Sequence, residues 1–170
     1  MKRLVAPVVF IALIFGIVTV FATWNSANKK PIPDTIANYA VTPEAIRDIK
    51  VTDKDNKSVD ITNDMSKPTL LTFWSSSCSV CGEGLKIINE NKSDKYQNIL
   101  INLGDTPQIA ADYLKKNNLT FTTYFDLDKS VYQSWKPEMP SSYYIDKKQV
   151  LYLFPGQITK ELLESLNNSL

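Results

Sequence analysis

The alternation of apolar and polar positions changes rhythm along the 170-residue chain, and each change marks an expected element. Residues 4–23 form an uncharged, almost wholly apolar run. A helix of about 20 residues covers about 30 Å, the thickness of a bilayer's hydrocarbon layer, so the run predicts a membrane-spanning helix. Lys2 and Arg3 precede it, and Trp24 stands where an interfacial aromatic belongs. A cleaved signal peptide is the competing reading, but its apolar core is typically about 7–15 residues. Residues 25–43 carry Pro31, Pro33 and Pro43 without an apolar period, which predicts a spacer.

From residue 46 the pattern is that of a folded domain. Residues 46–51 and 58–61 flank Asp53-Lys54-Asp55-Asn56-Lys57 and predict a β-hairpin. Residues 69–74, TLLTFW, are β-branched, apolar and aromatic, as suits a buried strand. Ser75, Ser76 and Ser77 suit a turn and a helix cap. Val80, Leu85, Ile87 and Ile88 then recur at helical spacing. Residues 98–103, NILINL, predict a second apolar strand. Thr106 and Pro107 are the residue types of an N-cap and a first helical position, with Ile109, Ala110, Tyr113 and Leu114 as the buried stripe. Residues 121–125 read as a short strand and 128–135 as a brief helix. Residues 142–145 and 149–154 predict a hairpin around Asp146-Lys147-Lys148. Thr159 caps a last helix, with Ile158 stapled to Leu163, and Leu162, Leu163 and Leu166 face the sheet.

This order of strands and helices predicts an α/β domain with a mixed central sheet and helices on both faces. Three units follow: a transmembrane helix (residues 1–27), a linker (28–45) and the domain (46–170).

Charge and composition remove several classes of function. Four of the 19 basic residues lie before position 31, leaving 15 against 18 acidic residues, a net of −3, and nothing resembles a nucleic-acid footprint. The chain has no histidine, so a histidine base, a Ser-His triad or a histidine-bound metal is not available. Its two cysteines, Cys78 and Cys81, sit together where strand gives way to helix. Residues three apart on a helix are about 5–6 Å apart, which is disulfide distance. Unpaired N–H groups and the partial positive charge of a helix start favour a thiolate, so Cys78 is expected to be the attacking sulfur. Cys81, one turn further in, is expected to be its shielded, resolving partner. A half zinc site is the alternative, but zinc takes about four ligands. A structural staple is another, but so short a loop restrains the unfolded chain little.

The domain resembles the thioredoxin-like fold, and within it the membrane-anchored thiol-disulfide oxidoreductases of the TlpA/ResA type. The likeness rests on KPTLLTFW running into Cys-x-x-Cys, on Leu103-Gly104-Asp105 after the next strand, on MPSSYYID around Pro140, and on the closing Gly-x-Ile-Thr-x-Glu-Leu segment. The resemblance implies a redox-active disulfide Cys78–Cys81 with no other cofactor and no metal. It also implies a cis Pro140 against that disulfide, and a Met139 backbone that pairs with an extended substrate segment. Trp74 and Ser77 are expected beside the substrate. Where relatives have a tryptophan before the first cysteine, this chain has Ser77. Where they often carry a proton-shuttling acid three residues after the second cysteine, it has Gly84. Glu83 and Glu138 are then the candidates for proton transfer.

The expected function is a single-pass cell-membrane protein whose extracytoplasmic domain exchanges disulfides with protein substrates, as a reductase, with cytochrome c maturation as the suggested setting. Its partners would be protein thiols and disulfides and a membrane or thioredoxin-type electron partner. The alternatives are an oxidase for secreted proteins and a non-catalytic binding module. A thiol peroxidase would need proline where Leu71 stands.

Overall fold

The computed structural model describes residues 34–170. The expected transmembrane run and the first part of the spacer lie outside these residues. No helix among the described residues is long and apolar enough to cross a membrane.

The elements run α1 (Asp34–Ala37), β1 (Ala40–Ala45), β2 (Lys50–Thr52), β3 (Ser58–Asp60), β4 (Thr69–Trp74), α2 (Cys81–Glu90), β5 (Gln97–Asn102), α3 (Pro107–Lys116), β6 (Thr122–Phe125), α4 (Ser130–Trp135), β7 (Ser141–Asp146), β8 (Gln149–Pro155) and α5 (Lys160–Ser169). The eight strands form one sheet in the order β1-β8-β7-β4-β5-β6-β2-β3. β4–β5 and β5–β6 are parallel, and the other pairs are antiparallel. The expected mixed sheet with helices on both faces is therefore present.

β4 is buried at all six positions, which is why its sequence is a continuous apolar run rather than an alternation. Successive side chains go to opposite faces. Leu70 and Trp74 join a core with Ile36 of α1 and the apolar stripes of α2, α3 and α5. Leu71 and Phe73 join a second core with Ile49, Val51 and Ile61 and with Val131 and Trp135 of α4. Thr106 caps α3, its hydroxyl accepting from Ile109 N–H at 3.4 Å, and Lys115 and Lys116 lie in the last turn, where cations suit the helix dipole. Thr159 caps α5 the same way at 3.3 Å from Leu162 N.

Three expectations are corrected. Residues 34–45 are not a spacer. Ile36 is fully buried, Tyr39 packs on Phe154 with ring centroids 5.3 Å apart, and β1 pairs with β8 as an edge strand. The proline that suggested a spacer, Pro43, falls where the β1–β8 register shifts between Ala40 and Glu44, so its missing N–H breaks no regular ladder. The domain thus begins well before residue 46. Ile109 is half exposed, because the buried stripe of α3 is carried by Ala110 and Leu114. The β2–β3 hairpin is shorter than expected, three residues a side, because Asp53 closes the turn by accepting from the N–H groups of Asp55 and Lys57 at 2.9 Å each.

Asp60 ties that hairpin to the domain. Its Oδ1 accepts from Ile49 N at 3.2 Å, Thr62 N at 3.0 Å and Thr62 Oγ1 at 2.7 Å. Burial is the largest single influence on this carboxyl and raises its pKa, but these hydrogen bonds together with Lys148 hold it below the ordinary 3.8. The unfolded chain therefore takes up the proton first as pH falls. The stabilisation is complete above pH 3.8 and is lost as pH falls through the lower folded value. Asp60→Asn is expected to lower stability at pH 7, and its gap to the parent should close in acid. Urea unfolding at pH 7 and at pH 3 checks this; an equal gap at both contradicts it.

Candidate active site

The site lies where β4 ends. Cys78 and Cys81 are joined by a disulfide, with Cα atoms 5.4 Å apart. The separation matches the expectation, but a helical turn does not produce it. Cys81 is the first residue of α2, and Cys78 lies in the turn before it, with Cys81 N donating to Cys78 O at 3.3 Å. Nor do the serines cap α2: its N-cap is Val80, with no side-chain hydrogen bond. The serines instead stitch the loop. Ser77 N donates to Ser75 Oγ at 3.2 Å, the Ser75 and Ser77 hydroxyls lie 2.9 Å apart, and Cys78 N donates to Ser75 O at 3.2 Å. A serine hydroxyl competes well for nearby backbone N–H groups, so three in a row favour a closed loop.

The two sulfurs differ sharply in exposure. Cys81 is 1 % exposed, within the core that includes Leu85 and Ile88, whereas Cys78 is only partly buried. Of the two sulfurs, Cys78 is therefore the one that a molecule from solvent can reach. Val80 and Met139 are exposed apolar residues. The Met139–Pro140 peptide is cis, and Pro140 is buried. Pro140, Trp74 and Cys81 line one small cavity of about 10 Å³ together with Thr72 and Ser142, whose hydroxyls hydrogen-bond across β4 and β7 at 2.8 Å.

Of the residues expected at the site, Trp74, Cys81 and Pro140 are thus brought together, but the expectation that Trp74 stands beside the substrate is corrected: its side chain is fully buried and packs in the core with Cys81. Ser77 is exposed and engaged with Ser75. Glu83 is exposed in the first turn of α2. Glu138 is exposed, and its charge, after burial, helps push the Tyr143 hydroxyl above its ordinary 10.0; Tyr143 belongs to the core on the other face of the sheet from Cys81. Sequence reasoning did not place Asn102, Asp105, Thr72, Ser142 or Tyr113 at the site, although Asp105 is among the residues carrying the resemblance and Tyr113 belongs to the expected buried stripe of α3. The available signal was a polar residue ending an apolar strand, at Asn102, followed by Gly104-Asp105. Among the described residues no cluster of His, Cys, Asp or Glu could hold a metal.

A thioredoxin-like sheet with a Cys-x-x-Cys disulfide at the end of a central strand defines a class, the thiol-disulfide oxidoreductases. The chain belongs to the AhpC/TSA family, whose model matches residues 43–154. It is 32% identical over 99 residues to a thioredoxin-like protein of Haemophilus influenzae, covering 56% of this chain and 59% of that protein. It is 26% identical over 120 residues to the thiol-disulfide oxidoreductase ResA of Bacillus thuringiensis subsp. konkukian, covering 67% of this chain and 69% of that protein. The solved structure of StoA from Bacillus subtilis superposes with a TM-score of 0.59 at 23% identity, over 72% of this chain and 99% of that one.

Tyr113 of α3 packs on Trp74, centroids 5.5 Å apart, and an added Cβ on Gly82 would run into the Tyr113 hydroxyl. Gly82→Ala is therefore expected to push Tyr113 off Trp74. The clash is with the outer end of a half-buried side chain, which can swing aside, and alanine gains about 1 kcal/mol of helix propensity over glycine, so Tm is expected to change little. Tryptophan fluorescence checks the displacement, and an emission spectrum identical to the parent's contradicts the close approach.

Proposed function

We propose that this chain is a membrane-tethered thiol-disulfide oxidoreductase that reduces disulfides of extracytoplasmic proteins. The observation that carries the reading is the asymmetry of the pair, one sulfur open to a visitor and its partner sealed beneath. In the reduced protein the Cys78 thiolate attacks a substrate disulfide. A Cys78–substrate disulfide forms, and one substrate thiolate leaves. Cys81 then loses its proton and attacks the Cys78 sulfur, closing the Cys78–Cys81 bond and releasing the second substrate thiolate. Two electrons pass to the substrate, and a dithiol donor restores the reduced pair. No other cofactor takes part.

Met139 and Pro140 are the proposed docking edge, with the Met139 backbone pairing an extended substrate strand. Ser77, which is exposed, flanks that edge, and Trp74 lies buried beneath it. Glu83 and Glu138 are the proposed proton acceptors at its rim. The apolar run at residues 4–23 is the proposed anchor, with Lys2 and Arg3 kept on the cytoplasmic side. The resemblance to ResA supports this reading, and cytochrome c maturation is the proposed setting.

The test is a trap. Full-length protein carrying Cys81→Ser, in its native membrane, is expected to accumulate a covalent partner through Cys78 that dithiothreitol releases. Cys78→Ser should capture none. Equilibration of the parent with glutathione is expected to give a potential well below the roughly −120 mV of a strong oxidant. A value near that figure makes the protein an oxidase, and a Cys81→Ser protein that captures nothing makes it a binding module.

A further inference from the structure

Asp105 is buried to 9 % exposure just beyond β5. It follows Gly104, whose φ of +104° is open to glycine and strained for other residues, so the chain can double back toward the end of β5. There Asp105 N donates to Asn102 Oδ1 at 2.9 Å. The carboxylate accepts three hydrogen bonds: from Asn102 Nδ2 at 2.7 Å, from Ser76 N at 2.7 Å and from Ser76 Oγ at 2.8 Å. Two of these cross from β5 to the loop that carries Cys78. Ser76 is two residues from that cysteine, and the hydrogen bonds of Ser75 with Ser77 and Cys78 pass the constraint along.

A structural tie alone does not call for a charge. Burying a carboxylate costs several kcal/mol unless a cation or good hydrogen bonds compensate it. Among the described residues the ion pairs are Lys54–Asp55 and Lys160–Glu164, and neither involves Asp105. A negative charge compensated only by hydrogen-bond donors therefore stands two residues along the bonded path from the reactive sulfur. The titratable side chains at the near ends of the elements around this loop are Glu83 on α2, Tyr113 on α3, Asp126 after β6 and Glu138 before β7; Lys86 and Glu90 further along α2, Asp112, Lys115 and Lys116 on α3, and Lys136 before β7 are exposed. Glu83 and Glu138 are exposed. Asp126 is turned to α4, accepting from Val131 N at 3.1 Å and Tyr132 N at 2.8 Å.

We propose that Asp105 is the positioning residue of the exchange reaction: through Ser76 it holds the loop that presents Cys78, and its charge tempers the reactivity of that sulfur. The two effects oppose each other. The tie orders the loop for attack, while a nearby negative charge disfavours the thiolate.

Two substitutions separate them. Asp105→Asn keeps an oxygen for Ser76 N and Asn102 Nδ2, and its amide can donate to Ser76 Oγ, so the tie survives without the charge. Asp105→Ala loses both. The full-length protein is used, in detergent, with folding followed by circular dichroism. In a Cys81→Ser background, the pH profile of Cys78 alkylation by iodoacetamide is expected to move to lower pH by about half a unit to one unit in Asp105→Asn. With both cysteines present, kcat/KM for insulin disulfide reduction should stay within about threefold of the parent in Asp105→Asn and fall about tenfold in Asp105→Ala. Ser76→Ala, which removes only the Oγ tie at a partly buried position, should lower kcat/KM by about twofold to threefold with no shift in the alkylation profile; it decides the question of the tie if Asp105→Ala does not fold. An unmoved alkylation profile in Asp105→Asn overturns the electrostatic part. A folded Asp105→Ala protein with parental kcat/KM, or an Asp105→Asn protein as impaired as Asp105→Ala, overturns the positioning part. Because the alkylation readout needs only Cys78, its failure is distinct from a failure of the disulfide-exchange reading itself.

Discussion

Everything at the reactive end of the molecule depends on the hydrogen-bond ladder on either side of β4. Its parallel pairing with β5 sets Trp74 opposite Asn102, and its antiparallel pairing with β7 sets Phe73 opposite Ser141. These registers bring three distant loops to one place: the serine loop with Cys78, the turn with Asp105, and the chain entering β7 with Pro140. A slip of one residue in either ladder would send Trp74 and Thr72 to the other face and dismantle the cavity behind Cys81. The largely apolar character of β4 guards against such a slip poorly, since both its faces are buried. Specificity comes from the few polar pairs instead, chiefly Thr72 with Ser142, whose partners would be lost in any other register.

The chemistry follows from burial. A symmetric pair of exposed thiols could be attacked at either sulfur. Here the first turn of α2 drives Cys81 into the core beside Leu85 and Ile88, so only Cys78 meets solvent. Gly84 is buried in the same turn, and an added Cβ there would lie 3.4 Å from Gln157 Cγ, an ordinary contact. Among the described residues the buried carboxylates are Asp105 and Asp126, and Asp105, in the turn after β5, is the one hydrogen-bonded to the reactive loop.

The outer strands show how context overrides composition. Residues 40–45, which include Pro43, have no clear apolar period, yet they close the β8 edge of the sheet. Tyr39 O accepts from Leu153 N at 2.9 Å, and Ile36 fills the core beneath. Backbone pairing needs no particular side chains, so a weakly patterned segment can become a strand wherever an unpaired edge is waiting. At the β7–β8 turn, Lys147 and Lys148 both take positive φ, 49° and 60°, without glycine or asparagine. The strong pairing of the strands on either side imposes a turn that those residues would not choose alone.

Local patterning therefore determined most of the elements: β4 from its apolar run, α3 and α5 from Thr106 and Thr159, the β2–β3 hairpin from its turn residues, the β7–β8 hairpin from its two strands, and the redox pair from its spacing. These are properties of neighbours in the chain, where steric preference and hydrogen-bonding reach act within a few residues. What tertiary structure alone decided was of longer range. It drew residues 34–45 into the sheet, set Cys78 ahead of α2 rather than within it, and left Ile109 in solvent. It also joined Asp105 to Ser76 across 29 positions. Such contacts arise from strand pairing and burial between segments far apart in sequence, and no local signal encodes which distant backbone will supply the partner.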